Sequence, residues 1–452
     1  MALTKRTAMP DFQNLTDNTC SKDVCDKSVW EKLKPYDDLS LKGLRENNPD
    51  LLVFPPDLGE NDDDIGEQTL FSLPGGKVRT GNLVGYFGVN GVPFAVRSRF
   101  DSSGKQFFLH YMLRKVVGIN ILNLSTTVQR DDQWKDLYSL LFPYCLKNAL
   151  RQGLFKAYRH FDCNDSHLRG AIDITRHLRE NTPFRGSVSY RTRERTADNP
   201  LIQLVRHTIE FIRADAKTAP VLTGDKDTRD AVNDIVFATP TYARGDRAKV
   251  VAQNLRPVRH PYFTEYAFLQ KLCLKILRRE SLSFGASDEK IHGIVFDAAW
   301  LWEEYLWTVL GKEGFKHARN KTKEYGISVY TKDEYNRYTV YPDFYKKDTV
   351  IDAKYKKLDK GVFRDDRFQL ISYMHIHNAK RGFLVYPIQK GDETEVEDNE
   401  KAVTSRIREL NGYGGKIGRL PFFIPQQAEN ETDFKKLMKE AENDFLDSYE
   451  NA

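Results

Sequence analysis

The chain has 452 residues, of which 40% are hydrophobic and 29% charged, and its formal net charge is +5. This composition is typical of a globular protein, and the length predicts two or three domains. No apolar run of about 18 residues occurs, and the N-terminal stretch MALTKRTAMPDFQ lacks the apolar core of a signal peptide. We therefore exclude a membrane span and secretion, and expect a cytoplasmic protein. The mild positive charge permits a nucleic-acid partner without requiring one.

Short predicted strands with glycine turns dominate the N-terminal third. The stretch GNLVGYFGVNGVPFAVRSRF has alternating segments around Asn90-Gly91, which predicts a β-hairpin. Farther along, apolar side chains recur at helical spacing over residues 131–158. We assign residues 1–155 to a β-rich N-terminal module that docks a partner.

The next region, residues 156–285, is predicted to be basic and helical. Asn199 can cap and Pro200 can begin a helix over residues 200–216, and a second helix is predicted over 263–280. The charge excess lies just before these helices. The segment from residue 151 to residue 195 holds ten lysines and arginines against five acids.

An arginine run in this basic segment offers a candidate contact for DNA. The stretch SYRTRERT alternates like a strand, so Arg191, Arg193 and Arg195 can project from one face. Two interpretations stay open, a ridge that contacts DNA phosphates and a solvated edge strand.

The Ser/Gly-rich stretch SLSFGASDEKIHG at 281–293 predicts a domain boundary. After it, the pattern predicts an α/β domain over 286–427, with a mixed sheet flanked by helices. Its predicted elements are helix 294–311, strands 327–331, 338–344 and 349–355, helix 364–378 and strand 381–387. The tail, residues 428–452, carries eight acids against three lysines and is predicted to form an acidic helix. The whole chain is thus expected to be a multidomain α+β protein.

The main candidate site residues lie in the stretch YPDFYKKDTVIDAKYK, residues 341–356. A strand has a period of two, so Asp352 and Lys354 project from one face. Asp343 lies on the partner strand of the predicted hairpin, which brings both carboxylates and the ammonium together. An alternative is a surface hairpin with cross-strand ion pairs.

Two adjacent carboxylates repel each other unless a cation lies between them. Hard oxygen ligands suit Mg²⁺, for which Mn²⁺ can substitute, and such an ion stabilises the negative charge of a phosphodiester under attack by water. Lys354 could orient or deprotonate the nucleophile, or hold the scissile phosphate. The sequence therefore predicts a metal and phosphate site.

Two flanking helices add further candidates. The stretch FDAAWLWEEYLWTVL places Glu303 and Glu304 among apolar residues, so one of them can face the metal, although both could be exposed helix acids. In DDRFQLISYMHIH, Gln369 and Tyr373 are four residues apart and share a helix face. A DNA phosphate near the metal would give this polar pair a partner.

The order of these motifs over 294–390 resembles the PD-(D/E)xK nuclease superfamily. The stretches LWEEYL, YPDF, VIDAKYK and DRFQLISY are most similar to the McrC family, the nuclease subunits of modification-dependent McrBC restriction systems. The stretch LRGAIDITRHL at 168–178 and the helix start Asn199-Pro200-Leu201 extend this resemblance upstream. It covers roughly residues 165–390.

The resemblance implies a role for each matching residue. The metal ligands would be Asp343, Asp352 and Glu303, with Glu304 as the alternative acid, Lys354 would be the catalytic lysine, and Gln369 and Tyr373 would position DNA.

The resemblance also implies partners. McrC proteins act with a separate hexameric McrB-type AAA+ GTPase, whose activity they stimulate, on double-stranded, modified DNA. GYGGKIG at 412–418 lacks Ser or Thr after the lysine, so we expect this chain itself to bind no nucleotide. The expected function is a Mg²⁺-dependent endonuclease subunit. The alternatives are a non-catalytic adaptor of an AAA+ NTPase and a stand-alone RecB-like DNA repair nuclease.

Overall fold

The computed structural model describes most of the chain. The described ranges are 13–21, 26–48, 51–55, 68–90, 92–101, 106–117, 133–216, 218–278, 291–319, 324–331, 338–358, 362–389, 407–412 and 414–452. Gly91 of the predicted turn, Tyr413 of GYGGKIG and residues 281–290 of the predicted connection lie outside the described residues. In the described ranges, no helix combines the length and apolar character needed to cross a membrane.

Strands and helices are numbered in chain order. The strands are β1 Gln13–Thr16, β2 Leu51–Phe54, β3 Phe71–Ser72, β4 Arg79–Thr80, β5 Leu83–Val89, β6 Val92–Arg97, β7 Ala157–Asp165, β8 Ala171–Ile172, β9 Val188–Thr196, β10 Ile291–Asp297, β11 Lys316–His317, β12 Ile327–Ser328, β13 Thr339–Val340, β14 Phe344–Lys346, β15 Thr349–Ala353, β16 Arg381–Gln389, β17 Arg408–Glu409 and β18 Lys416–Ile424. The α-helices are α1 Lys27–Leu33, α2 Leu41–Asn47, α3 Phe107–Val117, α4 Gln133–Arg151, α5 Ile174–Glu180, α6 Pro200–Arg213, α7 Lys226–Ala238, α8 Arg247–Gln253, α9 Glu265–Arg278, α10 Ala298–Leu310, α11 Arg364–His377 and α12 Glu431–Glu450.

The chain forms two compact units. The first unit combines Met1–Val116 with Leu282–Ala452, and the second unit is Val117–Ser281. This grouping differs from the predicted division into 1–155, 156–285, 286–427 and 428–452. The physical reason is β10, which pairs with β2 and β5 of the N-terminal segment and so joins the two ends of the chain.

The first sheet of this unit has the strand order β1-β6-β5-β10-β2. The predicted hairpin is present as β5 and β6, which pair antiparallel on either side of Asn90, whose φ is +47°. Its core includes Leu51, Phe87, Phe94 and Val295, all nearly or fully inaccessible to solvent. Burial of such side chains is the main favourable contribution to folding.

Helix α10 begins later than the sequence pattern predicts. The predicted helix 294–311 is wrong at its start, because residues up to Asp297 belong to β10 and pair in register with β5. Ile294 and Val295 are β-branched and favour a strand. Asp297 then caps α10 by accepting a hydrogen bond from the Trp300 amide at 2.8 Å.

The second sheet of the first unit has the strand order β11-β14-β15-β16-β18-β17. It is mixed, since β15, β16 and β18 run parallel while β14 pairs antiparallel with β15. Helix α11 packs Leu370 and Met374 on the face that carries Val350 and Leu384. A Cβ on Gly382 would lie 2.3 Å from the Met374 sulfur, so the glycine lets α11 approach β16 closely.

Helices α10 and α12 cover the opposite face of this sheet. The Phe422 ring of β18 lies 5.5 Å from Trp302 and 5.8 Å from Tyr305 of α10, and 5.1 Å from Phe445 of α12, measured between ring centroids. The sheet is therefore flanked by helices on both faces, as the sequence predicts for this region.

The second unit is less purely helical than the predicted middle region. Strands β7, β9 and β8 form an antiparallel sheet before α6, a pairing that the sequence analysis does not predict except for the alternation in β9. The predicted helices are present as α6 and α9. Asn199 caps α6, its side chain accepting hydrogen bonds from the Leu201 and Ile202 amides.

The predicted acidic tail helix is α12, and it is anchored by a buried carboxylate. Glu442 Oε1 accepts hydrogen bonds from the hydroxyls of Tyr111, at 2.8 Å, and Tyr305, at 2.9 Å. Its Oε2 lies 3.1 Å from Lys115 Nζ. Burial and the adjacent Glu442 carboxylate raise the pKa of Tyr305, which stays a hydrogen-bond donor.

We expect Glu442→Ala to lower the free energy of unfolding by about 3 kcal/mol, because two tyrosine hydroxyls and one ammonium lose their acceptor. The urea midpoint of the full chain measures this change. Glu440→Ala, an exposed acid on the same helix, is the matched control and should change the free energy by less than about 0.5 kcal/mol. Equal effects of the two substitutions would contradict an anchoring role for Glu442.

Candidate active site

The β14–β15 hairpin places two carboxylates side by side. The strands pair Phe344 with Ile351, so Asp343 and Asp352 stand opposite each other at the next position of the register. The Ala353 amide donates a hydrogen bond to Asp343 Oδ2 at 2.6 Å. Asp352 is 2% exposed and points toward α11, on the sheet face of its register partner Leu384.

Lys354 connects the hairpin to α11. Its Nζ lies 2.8 Å from Asp352 Oδ2 and donates a hydrogen bond to Gln369 Oε1 at 3.1 Å. Gln369 Nε2 in turn donates to the Tyr373 hydroxyl at 3.0 Å. The structure therefore brings together four predicted site residues in one chain of contacts, which runs from Asp352 to Tyr373.

Asp366 also belongs to this cluster, although the sequence analysis does not select it. This buried acid in the first turn of α11 has its Oδ1 3.7 Å from Lys354 Nζ and its Oδ2 2.6 Å from Lys356 Nζ. Its position three residues before Gln369 is the available sequence signal, since residues at that spacing share a helix face.

The two adjacent acids of α10 have different surroundings. Glu304 Oε2 lies 2.8 Å from an Arg319 guanidinium nitrogen, and Glu304 Oε1 lies 3.5 Å from His317 Nε2. Burial pushes the pKa of Glu304 up, but the hydrogen bond from His317 and the charge of Arg319 outweigh it, so that its pKa is lowered. Glu303 Oε1 lies 3.7 Å from His317 Nε2.

His317 links α10 to the hairpin, and no motif in the sequence predicts it. Its Nδ1 lies 2.8 Å from the carbonyl oxygen of Asp343, so this nitrogen carries a proton and donates it. Nε2 then faces both glutamates of α10.

The site carboxylates are held close enough to disfavour one another's charge. Burial, followed by the negative charges of Asp343, Glu304 and Asp352, raises the pKa of Glu303 well above its usual range. Burial raises the pKa of Asp343. Burial and the Asp343 carboxylate raise the pKa of Asp352 to about 7, against the opposing charge of Lys354.

Neighbouring carboxylates stabilise the charged form of Lys354. Burial lowers the pKa of this lysine, but the Asp352 and Asp343 carboxylates outweigh burial and raise it above the usual value. Of the roles left open by the sequence, a fixed ammonium that holds a phosphate suits this state better than a base that removes a proton.

The donor set suits a hard cation. Among the described residues, no three His, Cys, Asp or Glu side chains are arranged as a ready coordination cluster. However, Mg²⁺ takes only one or two carboxylates and keeps several waters. The oxygens of Asp343 and Asp352, together with the raised pKa values of these two carboxyls, fit that requirement.

The three predicted arginines lie in the second unit, on β9, and each is exposed. Arg191 pairs with Asp162 at 2.9 Å and with Asp173 at 3.2 Å, and the Arg193 guanidinium lies 4.3 Å from the Tyr158 ring centroid. Their alternation on a strand is as predicted, and phosphate contact by these residues stays a prediction.

The fold and the site define a multidomain α+β protein whose second sheet carries a carboxylate–lysine cluster. The family model of the McrBC 5-methylcytosine restriction system component matches residues 78–387. This is more than half of the chain, and the chain belongs to the McrBC family.

Solved structures also resemble the chain. One is an assembly of Thermococcus gammatolerans McrB AAA+ hexamers with bound McrC, at 14% identity and a TM-score of 0.46, covering 95% of this chain and 100% of the other. Another is the Thermococcus gammatolerans McrBC complex, at 16% identity and a TM-score of 0.32, covering 68% of this chain and 89% of the other. No curated protein matches.

Proposed function

We propose that this chain is the DNA-cleaving subunit of a McrBC-type restriction complex and hydrolyses phosphodiester bonds with Mg²⁺, for which Mn²⁺ can substitute. The observation that carries the proposal is the contact chain of Asp352, Lys354, Gln369 and Tyr373 beside Asp343 and Glu303. A fixed ammonium next to several carboxylates of raised pKa is a costly arrangement for a surface hairpin, and it supports a functional site.

Each residue has a proposed task. Asp343, Asp352 and Glu303 would hold the cation, and Glu303 is preferred to Glu304 because Arg319 already neutralises Glu304. When bound, the cation would stabilise the developing charge of the phosphodiester and lower the pKa of its water.

The remaining side chains would act on the DNA backbone. The Lys354 ammonium would hold an oxygen of the scissile phosphate, and Gln369 and Asp366 would fix the orientation of that ammonium. Tyr373, which receives a hydrogen bond from Gln369, would keep the amide turned toward the lysine.

The proposed partner follows from family membership. The matched family is a component of the McrBC 5-methylcytosine restriction system, and we propose that a hexameric McrB-type AAA+ GTPase supplies recognition and translocation on double-stranded DNA. This chain would stimulate the GTPase and cut the DNA.

A reconstitution experiment tests the proposal. The full chain and its Asp352→Asn variant are each mixed with the AAA+ partner, GTP, Mg²⁺ and methylated duplex DNA, and both cleavage and GTP hydrolysis are measured. We expect cleavage only with wild type, partner and GTP together, and equal GTPase stimulation by both chains. Asp365→Asn, an exposed acid at the start of α11, should cleave like wild type.

The other outcomes identify the alternatives. GTPase stimulation without any cleavage by wild type would indicate a non-catalytic adaptor. Cleavage by wild type without the partner would indicate a stand-alone repair nuclease. Undiminished cleavage by the Asp352→Asn variant would remove the site from consideration.

A further inference from the structure

A basic and aromatic surface lies beside the candidate site, at the start of α11. We call it the rim, and it consists of Lys356, Phe363, Arg364 and Phe368. The two phenylalanines are 64% and 53% exposed. Leaving rings of this size in water forgoes the stabilisation that burial would provide, so a pair of them next to a candidate site calls for an explanation.

A cationic side chain lies over the ring of each rim phenylalanine. Lys356 Nζ lies 5.1 Å from the Phe363 ring centroid, and the Arg364 guanidinium carbon lies 5.3 Å from the Phe368 centroid. Phe363 is the N-cap of α11 and Arg364 follows it directly, while Phe368 lies one turn after Arg364 on the same side of the helix. Cations next to exposed rings favour an anionic ligand that also has flat apolar faces.

Lys356 joins the rim to the candidate site through Asp366. Lys356 Nζ lies 2.6 Å from Asp366 Oδ2, and Asp366 Oδ1 lies 3.7 Å from Lys354 Nζ. Lys354 is itself 2.8 Å from Asp352. A strand whose phosphate is held at Lys354 would therefore extend its neighbouring nucleotides toward the rim.

Nucleic acid offers both the negative charges and the flat apolar faces that suit the rim. Its phosphates match Lys356 and Arg364, and each base offers an apolar face on which a ring can stack. Phenylalanine has no hydrogen-bonding group for a base edge, so it gains from a base only face to face. Within a duplex those faces are covered by neighbouring bases, and the base must leave the stack to expose them.

We infer that the rim stacks an unpaired nucleotide of the DNA strand next to the scissile phosphate. This inference rests on the proposed function, since it names how the same site would hold its substrate. The enzyme would then favour DNA that is locally opened beside the point of cleavage.

A binding experiment in EDTA, with the full chain alone, tests the inference without cleavage. The probes are labelled DNA duplexes with and without one bulged nucleotide, and the variant is Phe363→Ala/Phe368→Ala. We expect wild type to prefer the bulged probe, and the variant to bind it about ten-fold more weakly and to lose the preference. Phe237→Ala, a 91% exposed phenylalanine on α7 in the second unit, is the matched control and should behave like wild type.

A spectroscopic readout separates stacking from general weakening. With 2-aminopurine at the bulge and protein at saturation, wild type should quench the fluorescence of the base and the double variant should not. Unchanged preference and unchanged quenching in the variant would overturn the inference. So would loss of binding to the AAA+ partner together with unchanged DNA binding, because the rim would then be a protein-docking surface.

Failure of the inference and failure of the proposed function would give different results. If the double variant stacks DNA like wild type while Asp352→Asn abolishes cleavage, the inference falls and the proposed function stands. If Asp352→Asn cleaves normally, the proposed function fails whatever the rim does.

Discussion

Replacing Lys354 with methionine should slow DNA cleavage by the reconstituted complex roughly a hundred- to a thousand-fold. Methionine retains similar length and flexibility but removes the ammonium that lies 2.8 Å from Asp352 and 3.1 Å from Gln369. The loss should appear in the rate of single-turnover cleavage, because a fixed positive charge contributes most where negative charge develops in the transition state.

Two further variants make this prediction specific. Lys347→Met removes an exposed lysine from the tip of the same hairpin and should leave the rate within about two-fold of wild type. Lys354→Arg keeps the charge but not the compact shape of the ammonium, so we expect only partial recovery. Equal rates for Lys354→Met and Lys347→Met would exclude an electrostatic role for Lys354 in cleavage.

Mg²⁺ should raise the melting temperature of the chain at pH 8 and have little effect at pH 6. At pH 8 Asp352 is above its pKa of about 7 and largely ionised, and a cation at about 100 times its dissociation constant would add about 2.7 kcal/mol, or roughly 5 °C. At pH 6 protons compete, because the pKa of Asp352 is about 7 and those of Asp343 and Glu303 are also raised. Thermal unfolding with and without Mg²⁺ measures the difference.

The raised pKa values also determine the direction in which the stability of the metal-free chain changes with pH. Raised carboxylate pKa values mean that this site contributes stability below the usual pKa of Asp, and that the contribution is lost as the pH rises through about 7. Asp352→Asn should therefore reduce the loss of stability between about pH 4 and about pH 7 without metal, and should remove the stabilisation by Mg²⁺. Asp365→Asn should leave both effects intact. A Mg²⁺ effect that is equal at pH 6 and pH 8 would contradict carboxylate binding.

The sequence predicts the site best where its geometry is local. The hairpin of Asp343 and Asp352 and the spacing of Gln369 and Tyr373 depend on short-range periodicity. The structure brings Asp352, Gln369 and Tyr373 together with Lys354, and Asp343 accepts a hydrogen bond from the amide that follows Asp352. Their chemical roles remain predictions. Asp366 could have been selected from its helical spacing, but its contact with two lysines depends on how α11 packs against the sheet.

Long-range pairing is what the sequence does not reveal. The stretch IHGIVFD has an apolar character compatible with either a helix or a strand, and its partners β2 and β5 lie some two hundred residues earlier in the chain. His317 and Arg319 meet Glu304 for the same reason, through tertiary packing that leaves no local motif. The pairing of β7 with β9 joins segments more than twenty residues apart.

The insertion of β10 between β2 and β5 affects how the protein can be made. During synthesis, β2 and β5 leave the ribosome long before β10. The N-terminal sheet therefore lacks the strand between β5 and β2 until the whole second unit has been translated. Helix α10, which carries Glu303, begins directly after β10. A gene fragment that starts at α10 would therefore lack the strand that precedes this helix, and we expect such a truncation to misfold rather than fold as an independent domain.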